Sequence, residues 1–155
     1  MTRTRHDLFA KQHLETLLQT LGTVTSSRKL TSETREIGIW FVPHPQTQTL
    51  HHHLGILSQM VKQPCIMEPF RNAVQPSDIN SCLGKLMDLT AELRRQAKRQ
   101  SPSGSKLELP GLWVLSPTLS QQTIQGFRAD INPDWPTGFY FLAPNLPGSV
   151  AVLRP

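Results

Sequence analysis

A long amphipathic segment, from Pro76 to about residue 99, limits the folds open to this chain. Apolar residues recur in it at three- and four-residue steps, which is the period of one face of an α-helix. The residues of this stripe are Ile79, Cys82, Leu83, Leu86, Leu89, Leu93 and Ala97. Tertiary packing of the apolar face supplies most of the stability of such a helix, so the chain must provide a second layer for it.

The second layer is predicted to be a β-sheet. A first helix is predicted over residues 5–21, with Gly22 ending it in a left-handed conformation. Strands are predicted at residues 23–31, 35–42, 64–68, 112–115, 139–142 and 149–153, with short helices at 50–62 and 120–127. In the second strand, Ile37, Ile39 and Phe41 are expected on one face. This order predicts an α/β fold with a mixed sheet flanked by helices.

Composition fits one domain over residues 1–155. No apolar run approaches the roughly 18–20 residues of a membrane span, and we find no signal peptide, so a soluble cytoplasmic protein is expected. Cys65 and Cys82 lie in apolar patterns and are interpreted as buried thiols in a reducing compartment. The net charge of +5 permits a polyanionic partner without requiring one.

Several short blocks of sequence resemble one family of nucleases. They are residues 5–15 (RHDLFAKQHLE), 21–24 (LGTV), 34–41 (TREIGIWF), 64–72 (PCIMEPFRN) and 112–118 (LWVLSPT). Together they resemble the successive blocks of the Rpn-type recombination-promoting nucleases and their uncharacterised cyanobacterial relatives. The resemblance extends over most of the chain, to about Phe141.

The resemblance implies the PD-(D/E)XK superfamily, with a restriction-endonuclease-like αβββαβ core acting on DNA with Mg²⁺. Hard cations such as Mg²⁺ take oxygen ligands, lower the pKa of bound water and neutralise charge on the phosphate. The relatives continue with helical sequence beyond the strand near residues 139–142, whereas this chain stops at Pro155. The resemblance therefore implies a C-terminally truncated or decayed relative.

The catalytic positions carried over from the family are matched only in part. Glu15 stands at the first-helix carboxylate and Glu68 at the third-strand carboxylate. Gly38 stands where the second-strand Asp is expected, and Phe70 where a Lys or Gln is expected. Removing one group that stabilises a developing charge commonly costs about 10²–10³ in rate. The resemblance therefore implies a degenerate metal site.

Neighbouring residues offer a substitute site. Glu36 lies on the strand face of position 38, about 6.5–7 Å away, so Glu15, Glu36 and Glu68 are the candidate metal ligands. Arg71 and Lys11 are candidates for the missing cation. The alternative is that Lys11 and Glu15 form a solvated helix pair and that Glu36 is an exposed strand residue. Glu68 needs a partner if buried, either Arg71 or a metal, and we expect Arg71.

Four cations close the second long helix and are candidates for nucleic-acid contact: Arg94, Arg95, Lys98 and Arg99. They also suit the C-terminal end of a helix dipole, which is the alternative. His51, His52 and His53 are interpreted as surface imidazoles, since consecutive helical residues cannot all face one ion. The three tryptophans, Trp40, Trp113 and Trp135, are interpreted as packing residues, with base stacking as the alternative.

Two functions follow and stay open. The first is a PD-(D/E)XK-type DNA nuclease homologue, Mg²⁺-dependent if active, with Glu68, Glu15, Glu36, Arg71 and Lys11 at its site. The second is a catalytically inactive module of the same fold that binds nucleic acid or protein.

Overall fold

The computed structural model describes residues 5–31, 35–45, 54–101, 107–143 and 148–152. Within these ranges the chain forms α1 (Arg5–Leu18), β1 (Gly22–Lys29), β2 (Glu36–Pro43), α2 (Ile56–Met60), β3 (Cys65–Pro69), α3 (Pro76–Gln100), β4 (Gly111–Ser116), α4 (Gln121–Gly126), β5 (Phe139–Phe141) and β6 (Ser149–Val152). The predicted α/β architecture with a mixed sheet is confirmed.

The six strands of the described ranges form one sheet in the order β1-β2-β3-β4-β6-β5. β1, β2 and β3 are an antiparallel meander. β4 runs parallel to β3, β6 runs parallel to β4, and β5 lies antiparallel to β6 at the far edge. The parallel β3–β4 pair needs a crossover connection, which α3 supplies.

Helices cover both faces of the sheet. On one face, the predicted stripe of α3 is buried from Ile79 to Leu89, in a cluster that also contains Trp40, Ile66 and Val114. On the other face, Leu18 of α1 and Met60 of α2 belong to a second cluster of buried residues. Ile66 and its neighbour Met67 fall in different clusters, because successive side chains of a strand point to opposite faces.

The predicted role of Gly22 is wrong. α1 already ends at Leu18, and Gly22 is the first residue of β1 instead of a left-handed helix cap. A Cβ atom at position 22 would meet the carbonyl oxygen of Val42 and lie 2.7 Å from the Phe41 ring. Glycine is required there by the close approach of β1 and β2, a tertiary contact that helix-end statistics do not contain.

The predicted alternation of β2 holds only in part. Ile39 and Phe41 pack in the cluster on the α1 side, but Ile37 joins Trp40 in the cluster under α3. The change of face occurs beside Ser27 of β1, whose backbone is left-handed with φ 53°. A residue in that conformation interrupts the regular pleat of a strand pair.

Part of the predicted helix over residues 50–62 is present as α2. His51, His52 and His53 lie outside the described residues. Within the described ranges, no helix combines the length and apolar character that crossing a membrane requires.

Candidate functional site

A small cleft opens where β2 begins and β3 ends. Its volume is about 190 Å³. Its walls come from α1, β2, β3 and α3: Leu8, Lys11, Glu36, Gly38, Glu68, Pro69 and Lys85. β2 and β3 pair from Phe41 and Cys65 to Ile39 and Met67, so the cleft lies just beyond the last paired residues. Two glutamates and two lysines line it, and their formal charges cancel.

Glu68 is the central group of the cleft. It is buried, with 7% of its surface exposed. Its Oε1 atom accepts a hydrogen bond from the backbone N–H of Gly38 at 3.0 Å and another from Nζ of Lys85 at 3.2 Å. A buried carboxylate is costly unless it is paired and hydrogen-bonded, and these two donors provide that compensation.

The cationic partner of Glu68 is Lys85, in place of the Arg71 that we expected. Arg71 is exposed, and among the described residues it makes no ion pair with Glu68. It follows Phe70, whose partly buried ring packs against the cluster under α3. The sequence does carry a signal for Lys85: it stands three residues after Cys82 and four before Leu89, at the margin of the buried stripe.

Gly38 faces the Glu68 carboxylate. A Cβ atom at position 38 would lie 3.0 Å from Oε2 of Glu68 and 3.1 Å from the carbonyl oxygen of Met67. Position 38 is therefore beside the third-strand acid, where a second-strand ligand would have to be. Glycine contributes only its backbone N–H there, so Glu68 has a hydrogen-bond donor as its neighbour instead of a second carboxylate.

The two α1 candidates bind the edge strand. Lys11 donates from Nζ to Oγ of Ser27 at 2.5 Å and also lines the cleft. Glu15 accepts a hydrogen bond from the Ser26 hydroxyl and does not line the cleft. These contacts fix α1 on β1, and they differ from the solvated Lys11–Glu15 pair that was our alternative.

The predicted metal ligands are only partly brought together. Glu36 and Glu68 share the cleft, whereas Glu15 stays at the contact between α1 and β1. In the part of the chain that the structure describes, no group of three or more His, Cys, Asp or Glu residues is arranged to hold a metal ion. Mg²⁺ is usually held by one or two carboxylates and several waters, so binding it here would require Lys85 to give up its hydrogen bond to Glu68.

The candidate nucleic-acid residues lie elsewhere. Arg94, Arg95, Lys98 and Arg99 are all exposed on the last turns of α3. Arg94 follows Lys85 by nine residues, or about two and a half turns, so it projects from the opposite side of the helix about 14 Å further along. None of the four forms an ion pair with another described residue. The cleft and this basic cluster are therefore separate features.

A second buried acid ties α3 to the turn between β1 and β2. Glu92 accepts hydrogen bonds from the Thr31 N–H and hydroxyl, both at 2.6 Å, and from Nη2 of Arg28 at 3.3 Å. Burial alone would raise the pKa of Glu92, but the hydrogen bonds from Thr31 and Arg28 outweigh it and lower the pKa. This network is structural and lies outside the cleft.

Both cysteines are free and buried, as predicted. Burial raises the pKa of Cys65 to about 12. Burial, with the nearby Glu68 carboxylate adding to it, raises the pKa of Cys82 to about 12 as well. Only the thiolate is nucleophilic, so neither residue is a candidate nucleophile.

Comparisons of the chain with known protein families, with curated proteins and with solved structures found no match. The resemblance to Rpn-type nucleases therefore depends on the sequence blocks quoted above.

Proposed function

We propose that this chain is a PD-(D/E)XK-type nuclease homologue with a degenerate metal site, which binds DNA in the cytoplasm without cleaving it. The observation that carries the proposal is the pairing of Glu68 with Lys85 beside Gly38. A carboxylate at the expected position is retained, but its charge is compensated within the protein.

The order of elements supports a restriction-endonuclease-like core. α1, the meander of β1, β2 and β3, the crossover α3 and the parallel strand β4 follow one another in the αβββαβ order, with α2 inserted before β3. The relation of position 38 to Glu68 supports the same assignment, because the two residues expected to share a metal are neighbours across β2 and β3.

The chemistry of the cleft favours a silent site. A metal-dependent nuclease needs an ion to activate water and to stabilise the phosphate in flight. Here Gly38 provides no ligand, and Lys85 occupies one oxygen of Glu68. The buried thiols support a reducing compartment. The basic cluster of α3 supplies the DNA contacts in this proposal.

An active enzyme is the second candidate, and one observation favours it. Lys85 stands 3.2 Å from Glu68 and so brings a cation to the third-strand acid, which Phe70 cannot do. With Glu36 in the same cleft, an Mg²⁺-dependent site would need Lys85 to release Glu68. Glu36 and Glu68 would hold the ion there, and the ion would activate a water for attack on the phosphate.

Two measurements on the full chain test the proposal. A plasmid-nicking assay with Mg²⁺ is expected to show no cleavage above the level of a Glu68→Gln variant. Fluorescence anisotropy is expected to show DNA binding that persists in EDTA and weakens steeply with salt, as phosphate neutralisation requires. Mg²⁺-dependent nicking that Glu68→Gln abolishes would establish the active enzyme instead. Absence of DNA binding at low salt would contradict both candidates.

A further inference from the structure

A second cavity lies at the other end of the central strands. The cleft borders Glu68 and Pro69, where β3 ends, whereas this cavity borders Gly111, where the parallel strand β4 begins. Its volume is about 510 Å³, within the range of about 300–1,000 Å³ that is usual for ligand pockets.

One wall of the cavity is a fixed aromatic surface. Trp135 packs against Trp113 with ring centroids 5.2 Å apart and against Phe141 at 5.4 Å. Trp113 is itself held, since its indole N–H donates to the carbonyl oxygen of Met60 at 3.0 Å. Trp135 is half-buried and lines the cavity. Such a rigid aromatic surface suits stacking with a planar ring.

Polar and cationic groups surround the aromatic wall. The amides of Gln59 and Gln63 and the exposed ammonium of Lys62 line the same cavity. Amides can donate to and accept from the edge of a heteroaromatic ring, and a lysine can contact a phosphate. The combination of an aromatic wall, amides and a cation matches a nucleotide better than a purely apolar ligand.

The cavity adjoins the basic cluster of α3. Leu109 and Pro110 line the aromatic cavity and also line a neighbouring groove that contains Arg94. Lys98 lies one turn further along on the same side of the helix, and Arg95 and Arg99 lie beside this pair further around the helix, all exposed. A row of cations beside an aromatic surface is the arrangement with which proteins bind single-stranded nucleic acid, with phosphates on the cations and bases stacked on the rings.

We propose that the nucleic acid this protein binds is single-stranded, with an unpaired base in the cavity of Trp135 and its backbone along Arg94, Arg95, Lys98 and Arg99. This inference rests on the proposed nucleic-acid binding but uses neither Glu68 nor a metal. A stacked duplex cannot offer a base to a cavity without unpairing it, so single strands bind more tightly. An acidic peptide could use the cations, but it would leave the aromatic wall without a ring to stack on.

The test measures fluorescence anisotropy with labelled probes of about ten nucleotides: single-stranded DNA, single-stranded RNA and a matched blunt duplex. Unlabelled oligo-glutamate serves as a competitor. Single strands are expected to bind more tightly than the duplex. Comparison of the single-stranded DNA and RNA probes identifies the preferred sugar. Trp135→Leu is expected to weaken single-strand binding about ten-fold and leave duplex binding unchanged, whereas Trp135→Phe retains most of it.

A second pair of variants changes only exposed residues, so that a loss of binding cannot be attributed to a loss of folding. Lys62→Gln is expected to weaken single-strand binding and to reduce the slope of log affinity against log salt by about 0.7, the value for one phosphate contact. Lys29→Gln, an exposed cation of the distant edge strand β1, is the matched control and should leave the slope unchanged.

Three outcomes would overturn the inference. One is equal affinity for single strands and duplex, with no effect of Trp135→Leu or Lys62→Gln. Another is displacement of the probes by oligo-glutamate at lower concentrations than by unlabelled single strands, which would indicate an acidic protein partner. In either of these two cases, binding of the duplex probe would still support the proposed DNA binding. Failure to bind any nucleic acid would overturn both proposals.

Discussion

Charged residues in the middle of α3 and at its C-terminal end behave differently. In the middle, Lys85 pairs with Glu68 at 3.2 Å, Asp88 lies 4.0 Å from Arg35, and Glu92 binds Arg28. In the last two turns, the cations form no ion pair with another described residue. Charges of the first kind hold the fold together, whereas charges of the second kind are available to a partner.

The largest effect is expected for Lys85→Met. It leaves Glu68, whose side chain is 9% exposed, as a buried carboxylate without its cation. Breaking a buried pair in this way lowers the free energy of unfolding by about 3–5 kcal/mol. Denaturant unfolding near neutral pH measures the loss. The double variant Lys85→Met/Glu68→Gln should recover most of it, and Arg71→Met should stay within about 0.5 kcal/mol. Equal losses for Lys85→Met and Arg71→Met would contradict the assignment of Lys85 as the partner of Glu68.

Glu92→Gln should lower the free energy of unfolding by about 2 kcal/mol, because a charged acceptor of three hydrogen bonds becomes neutral. Since the pKa of Glu92 is lowered in the folded protein, this stabilisation is fully present above the ordinary glutamate pKa of 4.5. It is lost as the pH falls from there through the lowered pKa. Unfolding curves across this range should show the wild type and Glu92→Gln converging in acid. A constant difference would contradict the assignment.

Gly38→Asp tests whether a second carboxylate beside Glu68 turns the cleft into a Mg²⁺ site. The new side chain would crowd Glu68 and bring a second negative charge to it, so we expect a loss of about 1–2 kcal/mol. Mg²⁺ should restore part of that loss, since two adjacent carboxylates bind it, and should not affect the wild type. Thermal unfolding with and without Mg²⁺ measures this effect. Gly38→Asn has the same shape without the charge and should show no recovery.

The smallest effect on stability is expected at the C-terminal end of α3. Arg95→Gln/Arg99→Gln should change the free energy of unfolding by less than about 0.5 kcal/mol, because both side chains are exposed. The same variant should reduce the salt slope of duplex DNA binding by about 1.8, or about 0.9 for each lost phosphate contact. A large loss of stability with an unchanged slope would show that these cations belong to the folded structure.

The sequence predicts the layers of this fold better than its contacts. The stripe of α3 and the six strands are local periodicities, and they were placed correctly. The partner of Glu68 was not, because the crossing of α3 over β3 brings position 85 to position 68, and no local pattern encodes that crossing. Ile37 changes face for a similar reason, since Ser27 is on the neighbouring strand. Gly38 was identified beside the acid only through the family resemblance.

The left-handed backbone of Ser27 also bears on solubility. β1 is an edge of the sheet, and an edge strand normally offers a continuous row of N–H and C=O groups to a strand of another molecule. At Ser27 that row is interrupted, and the exposed Lys29 two residues further on adds positive charge. A strand from a second copy of the chain would have to pair with β1 across a bent backbone and bring its own positive charge close to that of this strand. The edge strand is thereby protected against the strand-to-strand association that leads to aggregates.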